Sequence, residues 1–246
     1  MNILSEICVE SLDGALAAQN AGAHRIELCS SLSEGGLTPS AGLLYQVRKN
    51  IQLPIHVMIR PRRGDFCYSS LEIDTMIADI THAKQQGADG IVFGLLNTNG
   101  TINIDQTKKL IEHAHPLPIT FHRAFDLTRD PFEALETLIT LGINRILTSG
   151  CTPTVEQGIE TIQKLITEAQ NRITIMPGGG ITEQNVKTII QKTNAKEIHF
   201  SGRTQIESPM QYRNKKLAFS SAPQSEYTHH VTNVDRIRAI LNATKE

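Results

Sequence analysis

Short apolar runs alternate along the chain with longer segments in which apolar residues recur every three or four positions. A short apolar run predicts a buried strand, and the three-to-four spacing predicts an amphipathic helix. Eight runs predict strands: SEICVE (5–10), RIELCS (25–30), IHVMIR (55–60), GIVFGLL (90–96), ITFHRA (119–124), RILTSG (145–150), ITIMPG (173–178) and EIHFSG (197–202).

The segments between these runs predict the helices. Helical spacing is clear at 13–23, 40–50, 75–88, 131–142, 181–193 and 234–243. Capping residues predict three helix starts, at Thr38, at Asp130 before Pro131, and at Thr182.

A weak internal repeat supports a count of eight strand–helix units. GAHRIEL (22–28), GADGIVF (87–93) and GINRILT (142–148) each have the pattern of a helix end, a glycine and a strand start. Eight units of about 30 residues fill the 246-residue chain, which is the size of a TIM (β/α)8 barrel. We therefore predict an α/β fold with a single TIM-barrel domain over residues 1–246. An open, doubly wound sheet is the structural alternative.

Two predicted connections are longer than the others. One covers residues 61–74 after the third strand, and the other is an insertion at about 203–232, between the eighth strand and the last helix. Both follow the carboxyl ends of strands, where the loops of α/β barrels hold functional residues. For the second connection, the alternative is that it covers the barrel mouth or forms an oligomer contact.

Polar residues occupy the interior face of the predicted barrel. Side chains of a barrel strand alternate between the helix layer and the interior, and the apolar members belong to the helix layer. This alternation predicts an inward set of Glu6, Cys8, Arg25, Glu27, Cys29, His56, Arg60, His122, His199 and Ser201, whereas the phase of strands four and six stays open. TIM-barrel interiors are usually filled by branched apolar side chains, so the set indicates either a buried salt-bridge network or a charged pocket.

Composition and charge argue against several classes of function. The net charge of −1 gives no general attraction to nucleic acid or to an anionic membrane, and the apolar runs fall far short of the roughly 20 residues that span a bilayer. The amino-terminal residues lack the basic and apolar regions of a signal peptide. Because the four cysteines lie far apart without a CxxC spacing, we expect no disulfide framework and a reduced, cytoplasmic protein.

A Glu-x-Cys pattern occurs in both of the first two strands, at residues 6–8 and 27–29. Neighbouring strands lie about 4.8 Å apart, so Cys8 and Cys29 are candidate ligands of a soft metal such as Cu(I) or Zn(II). His199, on the strand next to the first, is a candidate third ligand. The alternative is that the two cysteines are small buried apolar residues.

The fifth strand ends in a second group of polar residues. His122 is a candidate general acid or base, Arg123 an anion-binding residue and Asp126 an orienting group. Strand alternation predicts that one of His122 and Arg123 points away from the interior. The alternative for Arg123 and Asp126 is a local salt bridge at the strand end.

Glycine turns follow the seventh and eighth strands, where TIM barrels often bind phosphate. Gly178, Gly179, Gly180, Ser201 and Gly202 are the candidates for an anion site. Arginines after the third strand, among them Arg60 and Arg62, extend the predicted anion-binding rim, whereas Arg63 fits a solvated position.

The longer motifs resemble one family. ELCSSLSEGGLTPS (27–40), MIRPRRGDFCYS (58–69), TFHRAFD (120–126), LTSG (147–150) and PGGGIT (177–182) are similar to the CutC family of copper homeostasis proteins, which usually has glycine at the position of Arg63. The resemblance extends over nearly the whole chain. It implies a cytosolic TIM barrel, a homo-oligomer such as a dimer or tetramer, and a Cu(I) role for two cysteines that correspond to Cys8 and Cys29.

Three hypotheses about function follow. The first is a copper homeostasis protein that binds Cu(I) through Cys8 and Cys29. The second is an enzyme that acts on a small anionic metabolite, with a phosphorylated compound as one candidate. There the acid–base groups are Glu6, Glu27 and His122, the charge-holding groups are Arg25, Arg60 and Arg123, and the turn 178–180 binds phosphate. The third is a scaffold without catalysis. The sequence leaves open whether the protein is an enzyme.

Overall fold

A barrel of eight parallel strands forms the centre of the structure, a computed structural model that describes residues 3–214 and 226–245. The strands are β1 (Leu4–Val9), β2 (Arg25–Leu28), β3 (Ile55–Met58), β4 (Gly90–Phe93), β5 (Ile119–Phe121), β6 (Arg145–Thr148), β7 (Thr174–Pro177) and β8 (Glu197–Phe200). Seven of them lie within predicted runs and β1 begins one residue before its run. The TIM-barrel prediction is confirmed.

Helices alternate with these strands on the outside of the barrel. They are α1 (Leu12–Ala21), α2 (Ala41–Asn50), α3 (Ser70–Gln85), α4 (Ile104–Ala114), α5 (Pro131–Thr140), α6 (Ile159–Ala169), α7 (Val186–Thr193) and α8 (Val234–Ala243). In the described ranges, none of these helices combines the length and apolar composition needed to cross a bilayer.

One of the three predicted helix caps is confirmed and two are wrong. Asp130 caps α5 by accepting the backbone N–H groups of Phe132 and Glu133. At α2 the cap is Ser40, two residues after Thr38, and α7 begins only after Asn185, whose side chain accepts the N–H of Thr182 instead. Short polar side chains near each other compete for such caps, and the local backbone decides between them.

The strand order runs from β7 through β1 to β8, and a bridge between Gly178 and His199 brings the two ends together. Beyond β8, two further strands, β9 (Arg203–Glu207) and β10 (Thr228–Thr232), pair antiparallel at the top of the barrel. They lie within the predicted insertion at about 203–232, of which residues 215–225 are outside the described residues.

Glycines settle the phase of β4. A Cβ atom at Gly90 would lie 2.5 Å from the His56 ring, and one at Gly94, just past the strand, would lie 2.6 Å from the His122 ring. Both glycines therefore face the interior and leave room for buried imidazole rings. Val92 lies between these glycines in the sequence and points to the same side. It packs against Cys8, Cys29 and Met58 inside the barrel.

Strand β6 turns Arg145 into the interior. Its guanidinium lies in the lower barrel, the part at the amino-terminal ends of the strands. Its Nε and Nη2 atoms donate to Glu197 at 2.5 and 3.0 Å, and Nη1 donates to Thr120. Arg25 donates to the same Glu197 at 2.7 Å. One buried carboxylate thus holds two guanidinium groups, so part of the polar interior is the salt-bridge network that the sequence allowed.

Replacing Gly158 by alanine is expected to destabilise the fold by about 1–3 kcal/mol, because a Cβ there would lie 1.9 Å from the Ser149 carbonyl oxygen. Gly158 thus packs closely against Ser149 in the loop after β6, which reaches the barrel mouth. A matched control is Gly42→Ala in α2, where a Cβ meets nothing within 4 Å and a gain of about 0.5–1 kcal/mol is expected. Urea unfolding measures both, and a neutral Gly158→Ala variant contradicts the packing described.

Candidate functional site

A cavity of ≈ 370 Å³ opens at the carboxyl ends of the strands. Its floor is formed by interior side chains of β1, β2, β3 and β8, and its walls by the loops that follow β2, β3, β5, β7 and β8. This is the end of a TIM barrel where binding and catalytic residues are found. The volume is at the lower end of the range for small-molecule sites.

Glu6 is the centre of a fully buried charge network below the cavity. Its carboxylate accepts Arg25 Nε at 2.5 Å and His199 Nδ1 at 2.8 Å, and His56 Nδ1 lies 3.5 Å away. Burial acts to raise the pKa of Glu6, but the His199 hydrogen bond and the Arg25 charge hold that pKa well below its usual range. Glu6 is therefore ionised and holds His199 in one orientation.

Above Glu6 lies a cluster of sulfur, carboxylate and imidazole groups. The Cys8 thiol donates to Glu27 Oε2 at 3.0 Å, and its sulfur lies 3.5 Å from the sulfur of Cys29. His199 Nε2 is 3.8 Å from the same Glu27 oxygen. The register explains the cluster, since Cys8 is level with Glu27 and Glu6 is level with both Arg25 and His199.

Protonation within the cluster follows from its burial. The Cys29 hydrogen bond, burial and the Glu27 charge raise the pKa of the Cys8 thiol well above its usual value. Burial also raises the pKa of Glu27. For His199, burial acts to lower the pKa, but the charge of Glu27 and the hydrogen bonds to Cys8 and Glu6 outweigh it and raise the pKa. The resting cluster thus holds a neutral Cys8 thiol beside a charged imidazolium.

His122 lies in another wall of the cavity and is neutral. Its Nδ1 atom accepts the backbone N–H of Ala124 at 3.1 Å, so the ring proton is on Nε2. Burial, with the nearby charge of Arg60, lowers the pKa of His122 to about 3. The ring packs against Phe66, with centroids 4.9 Å apart.

The alternation predicted for His122 and Arg123 is wrong, because β5 ends at Phe121 and His122 caps a short 3₁₀ helix (Arg123–Leu127). Both residues therefore line the same cavity. Arg123 Nε donates to Asp126 at 2.7 Å, and Nη2 donates to the Ser149 hydroxyl at 2.7 Å. Asp126 also accepts the backbone N–H groups of Ser149 and Cys151, so it fixes the Arg123 side chain to the loop after β6.

Arg60 joins two loops over the cavity. Its Nη1 donates to the carbonyls of Glu34 and Gly36, and its Nη2 donates to that of Gly64. The guanidinium also stacks on the Phe66 ring, 4.9 Å from its centroid. The loop after β2 and the loop after β3 are thereby held together by one buried side chain.

The loops after β7 and β8 form the remaining wall. Gly179 and Gly180 have φ values of 95° and 92°, a conformation that favours glycine. A Cβ at Gly179 would lie 3.2 Å from Arg123 Nη1, so glycine there allows the guanidinium to approach the loop. Arg203 and Arg236, which sequence reasoning missed, add two more cations to the lining.

The cavity brings together most of the predicted site residues. Those in its lining are Cys8, Glu27, Arg60, His122, Arg123, Gly179, Gly180, His199, Ser201 and Gly202. Six others lie outside the lining. Glu6 and Arg25 lie in the network below, Cys29 behind Cys8, and Asp126 behind Arg123, while Gly178 donates its N–H to the Thr148 carbonyl and Arg62 pairs with Asp65 and Glu72.

Sequence reasoning also missed Arg145 and Glu197, the buried pair under the site. Glu197 begins its strand, and its inward phase follows from that of His199 two residues later. For Arg145 the only sequence signal was a charged residue at the start of an apolar run, which is equally typical of a solvated strand end.

Comparison with known proteins identifies relatives over nearly the full chain. The model of the CutC family matches residues 3–204. A copper homeostasis protein cutC homolog of Homo sapiens is 50% identical over 241 residues, covering 98% of this chain and 88% of that protein. A family protein CutC of Bacteroides fragilis is 46% identical over 244 residues, covering 98% of this chain and 97% of that protein.

Solved structures agree with the fold. A CutC protein of Streptococcus agalactiae superposes with a TM-score of 0.78 at 36% identity, covering 81% of this chain and 98% of that chain. A phosphoribosylanthranilate isomerase of Thermotoga maritima superposes with a TM-score of 0.59 at 12% identity, covering 99% of this chain and 98% of that chain. At that identity the second likeness shows the fold alone.

Proposed function

Because the chain belongs to the CutC family, we propose that it is a copper homeostasis protein that binds Cu(I) through the sulfurs of Cys8 and Cys29. The observation that supports this proposal is the pair of sulfurs 3.5 Å apart in the barrel interior, with an imidazole next to them. The names of the human and mouse relatives point to the same role.

The chemistry of the donors favours a soft metal ion. Thiolates select Cu(I), whereas carboxylate and water suit hard cations such as Mg²⁺ or Ca²⁺. Ligand atoms of Cys8, Glu27 and His199 lie within 4.8 Å of one another, and Cys29 adds a second sulfur beside Cys8. We assign the two thiolates as the main ligands and His199 Nε2 as the third.

The surroundings of His199 support its role as a ligand. Its Nδ1 is bound to the ionised Glu6, which leaves Nε2 directed at the cluster. A carboxylate that holds the far nitrogen of a histidine orients the ring and raises its basicity toward a metal. Glu6 therefore acts as a positioning residue in this proposal.

Cu(I) binding requires loss of the thiol protons and, because the resting His199 is an imidazolium, of the proton on its Nε2. Because the pKa of Cys8 is raised by the Cys29 hydrogen bond and by burial, the metal competes with a tightly held proton, and affinity rises with pH. The ion reaches the site through the cavity, since Cys8 lies in its lining and Cys29 is fully buried behind it.

The double variant Cys8→Ser/Cys29→Ser is expected to lower Cu(I) affinity by roughly 100-fold or more, because hydroxyls replace both soft ligands. Competition with a chromophoric Cu(I) chelator measures the affinity. The matched control is Cys67→Ser/Cys151→Ser, which changes the two cysteines outside the barrel interior. Equal loss in both double variants, or none in the first, would falsify the assignment of the site.

The proposal includes a reducing, cytoplasmic setting, because the four cysteines of the chain are free within the described structure and Cu(I) persists where thiols stay reduced. It also includes a homo-oligomer, a dimer or tetramer, as the family resemblance implies. Neither a nucleic-acid partner nor a membrane partner belongs to it, since the net charge of −1 offers no general attraction to phosphate backbones or anionic lipids.

A further inference from the structure

Three buried polar atoms without a hydrogen-bond partner surround the same cavity: Glu27 Oε1, Arg60 Nε and His122 Nε2. The three residues are only 2%, 6% and 4% exposed, respectively. An unpaired buried polar atom is destabilising, so such atoms in a native structure call for a ligand, an ion or water. All three residues line the cavity, so a ligand with several polar groups would satisfy these atoms after small side-chain movements.

Arg60 determines the charge of that ligand. The guanidinium donates only to neutral backbone carbonyls, and no carboxylate pairs with it in residues 3–214 and 226–245. A buried cation without a counter-ion is unfavourable. A negatively charged or charge-developing ligand oxygen in the cavity supplies the missing partner.

His122 determines the polarity of one ligand atom. Because its Nδ1 accepts from Ala124, the neutral ring of this cavity-lining residue has an unpaired Nε2–H donor. The matching ligand group is a hydrogen-bond acceptor, such as a carbonyl oxygen. A neutral imidazole that donates to a carbonyl polarises it, a role it has in isomerases of sugar phosphates.

Glu27 supplies the opposite polarity. Its Oε2 accepts from Cys8, and its Oε1 is an acceptor without a partner, on a residue that lines the cavity. Glu27 belongs to the floor of the cavity and His122 to a wall, so the acceptor and the donor belong to two different sides of it. The group that fits Oε1 is a hydroxyl on a carbon next to the carbonyl.

The loop after β7 offers a site for a phosphate. Within the described ranges, the backbone N–H groups of Gly180 and Ile181 donate to no protein acceptor, and the Arg123 guanidinium lies beside Gly179. Free backbone donors beside a cation bind phosphate oxygens well. Asp126 is then a positioning residue that holds Arg123 against this loop.

We propose that the cavity is a binding site for a small phosphorylated hydroxy-carbonyl compound. The phosphate lies on Gly180, Ile181 and Arg123, and the carbonyl oxygen lies on His122 Nε2–H with Arg60 close by. The hydroxyl donates to Glu27 Oε1. A volume of ≈ 370 Å³ suits a compound of this size.

The proposed ligand site and the proposed copper site use different atoms. It uses Oε1 of Glu27 and neither sulfur, so copper-free protein is the correct material for testing it. Loss of Cu(I) binding in the cysteine variants leaves the ligand site intact, and loss of ligand binding in a His122 variant leaves the sulfur pair intact.

The test is calorimetric titration of the copper-free full-length chain with 2-phosphoglycolate, whose carboxylate offers acceptor oxygens at the distance of a carbonyl from phosphate. We expect saturable binding, with inorganic phosphate bound at least about tenfold more weakly. In His122→Asn the side-chain oxygen still accepts from Ala124, but the Nε2–H donor is lost. Affinity for 2-phosphoglycolate should fall about 10- to 100-fold, while that for phosphate stays the same.

The control is His82→Asn, which changes a half-buried histidine on α3 outside the cavity and should leave both affinities unchanged. A thermal melt checks that each variant folds. If His122→Asn does not fold, Arg123→Gln replaces it and should weaken both anions by about tenfold or more. No binding to the unmodified chain, equal affinity for the two anions, or an unchanged affinity in the folded variants overturns the proposal.

Discussion

Replacing Glu197 with glutamine is expected to lower the free energy of unfolding by roughly 3–5 kcal/mol. Glu197 is buried and accepts three hydrogen bonds, one from Arg25 and two from Arg145. An amide keeps one acceptor oxygen but turns an N–H₂ group toward a guanidinium. Arg145 would then lose its carboxylate partner, whereas Arg25 keeps Glu6. Breaking a buried pair in this way leaves the Arg145 charge without compensation.

The matched control is Glu136→Gln. Glu136 also binds an arginine through both oxygens, with Arg172 at 2.6 and 2.8 Å, but the pair lies at the surface. Exposed pairs contribute about 0–1 kcal/mol. Denaturant unfolding compares the two variants, and thermal melting should show a drop of about 6–20 °C for Glu197→Gln only. Similar small losses in both variants contradict the view that Glu197 holds the lower barrel together.

Acidification from pH 6.5 to pH 4 is expected to remove roughly 5 kcal/mol of stability through His56 and His122 alone. Burial lowers the pKa of His56 from 6.5 to about 4, and burial with the Arg60 charge lowers that of His122 from 6.5 to about 3. In this window the two histidines bind protons in the unfolded chain but not in the folded chain. Stability therefore rises with pH through the window and is lost as pH falls.

Other buried groups act mainly at the acid edge of this window, outside it or against it. Glu6, whose pKa is lowered chiefly by the His199 hydrogen bond and the Arg25 charge despite burial, adds to the acid loss only below its unfolded value of 4.5. Glu27, whose pKa is raised by burial, opposes the loss as pH falls toward 4.5. His199, with a raised pKa, contributes stability below pH 6.5 that is lost as pH rises.

The variant His122→Asn isolates one histidine in this prediction. It keeps the backbone contact to Ala124 and removes one titrating group, so the slope of unfolding free energy against pH should fall by up to about 1.4 kcal/mol per pH unit between 6.5 and 4. Urea unfolding at several pH values measures the slope. A variant with the slope of the unmodified chain shows that His122 is already protonated or exposed in the folded state.

The local pattern of apolar and polar residues was sufficient to predict the eight strands and most of the residues in the barrel interior. Apolar runs located each strand within a few residues, because a strand buried under helices must be apolar on its outer face whatever its neighbours are. Alternation then placed Glu6, Cys8, Glu27 and His199 inside, and the structure has all four there. The pairing of the two Glu-x-Cys patterns also followed, since consecutive strands of a barrel are neighbours.

Contacts between distant parts of the chain could be identified only from the tertiary structure. The inward phase of β4 depends on two imidazole rings that fit only over Gly90 and Gly94. The partners of the charges depend on register, which set Cys8 level with Glu27 and gave Glu6, but not Glu27, an arginine. Strand length decided that His122 and Arg123 share one cavity.

The sequence by itself determined the barrel and which residue types its interior holds, because strand alternation and helix spacing are properties of a few consecutive residues. Only the tertiary structure decided which of those residues remain without partners. Glu27 Oε1, Arg60 Nε and His122 Nε2 are unpaired because the strands and loops around them place every other donor and acceptor elsewhere. That property belongs to the closed barrel, and no segment of the chain has it alone.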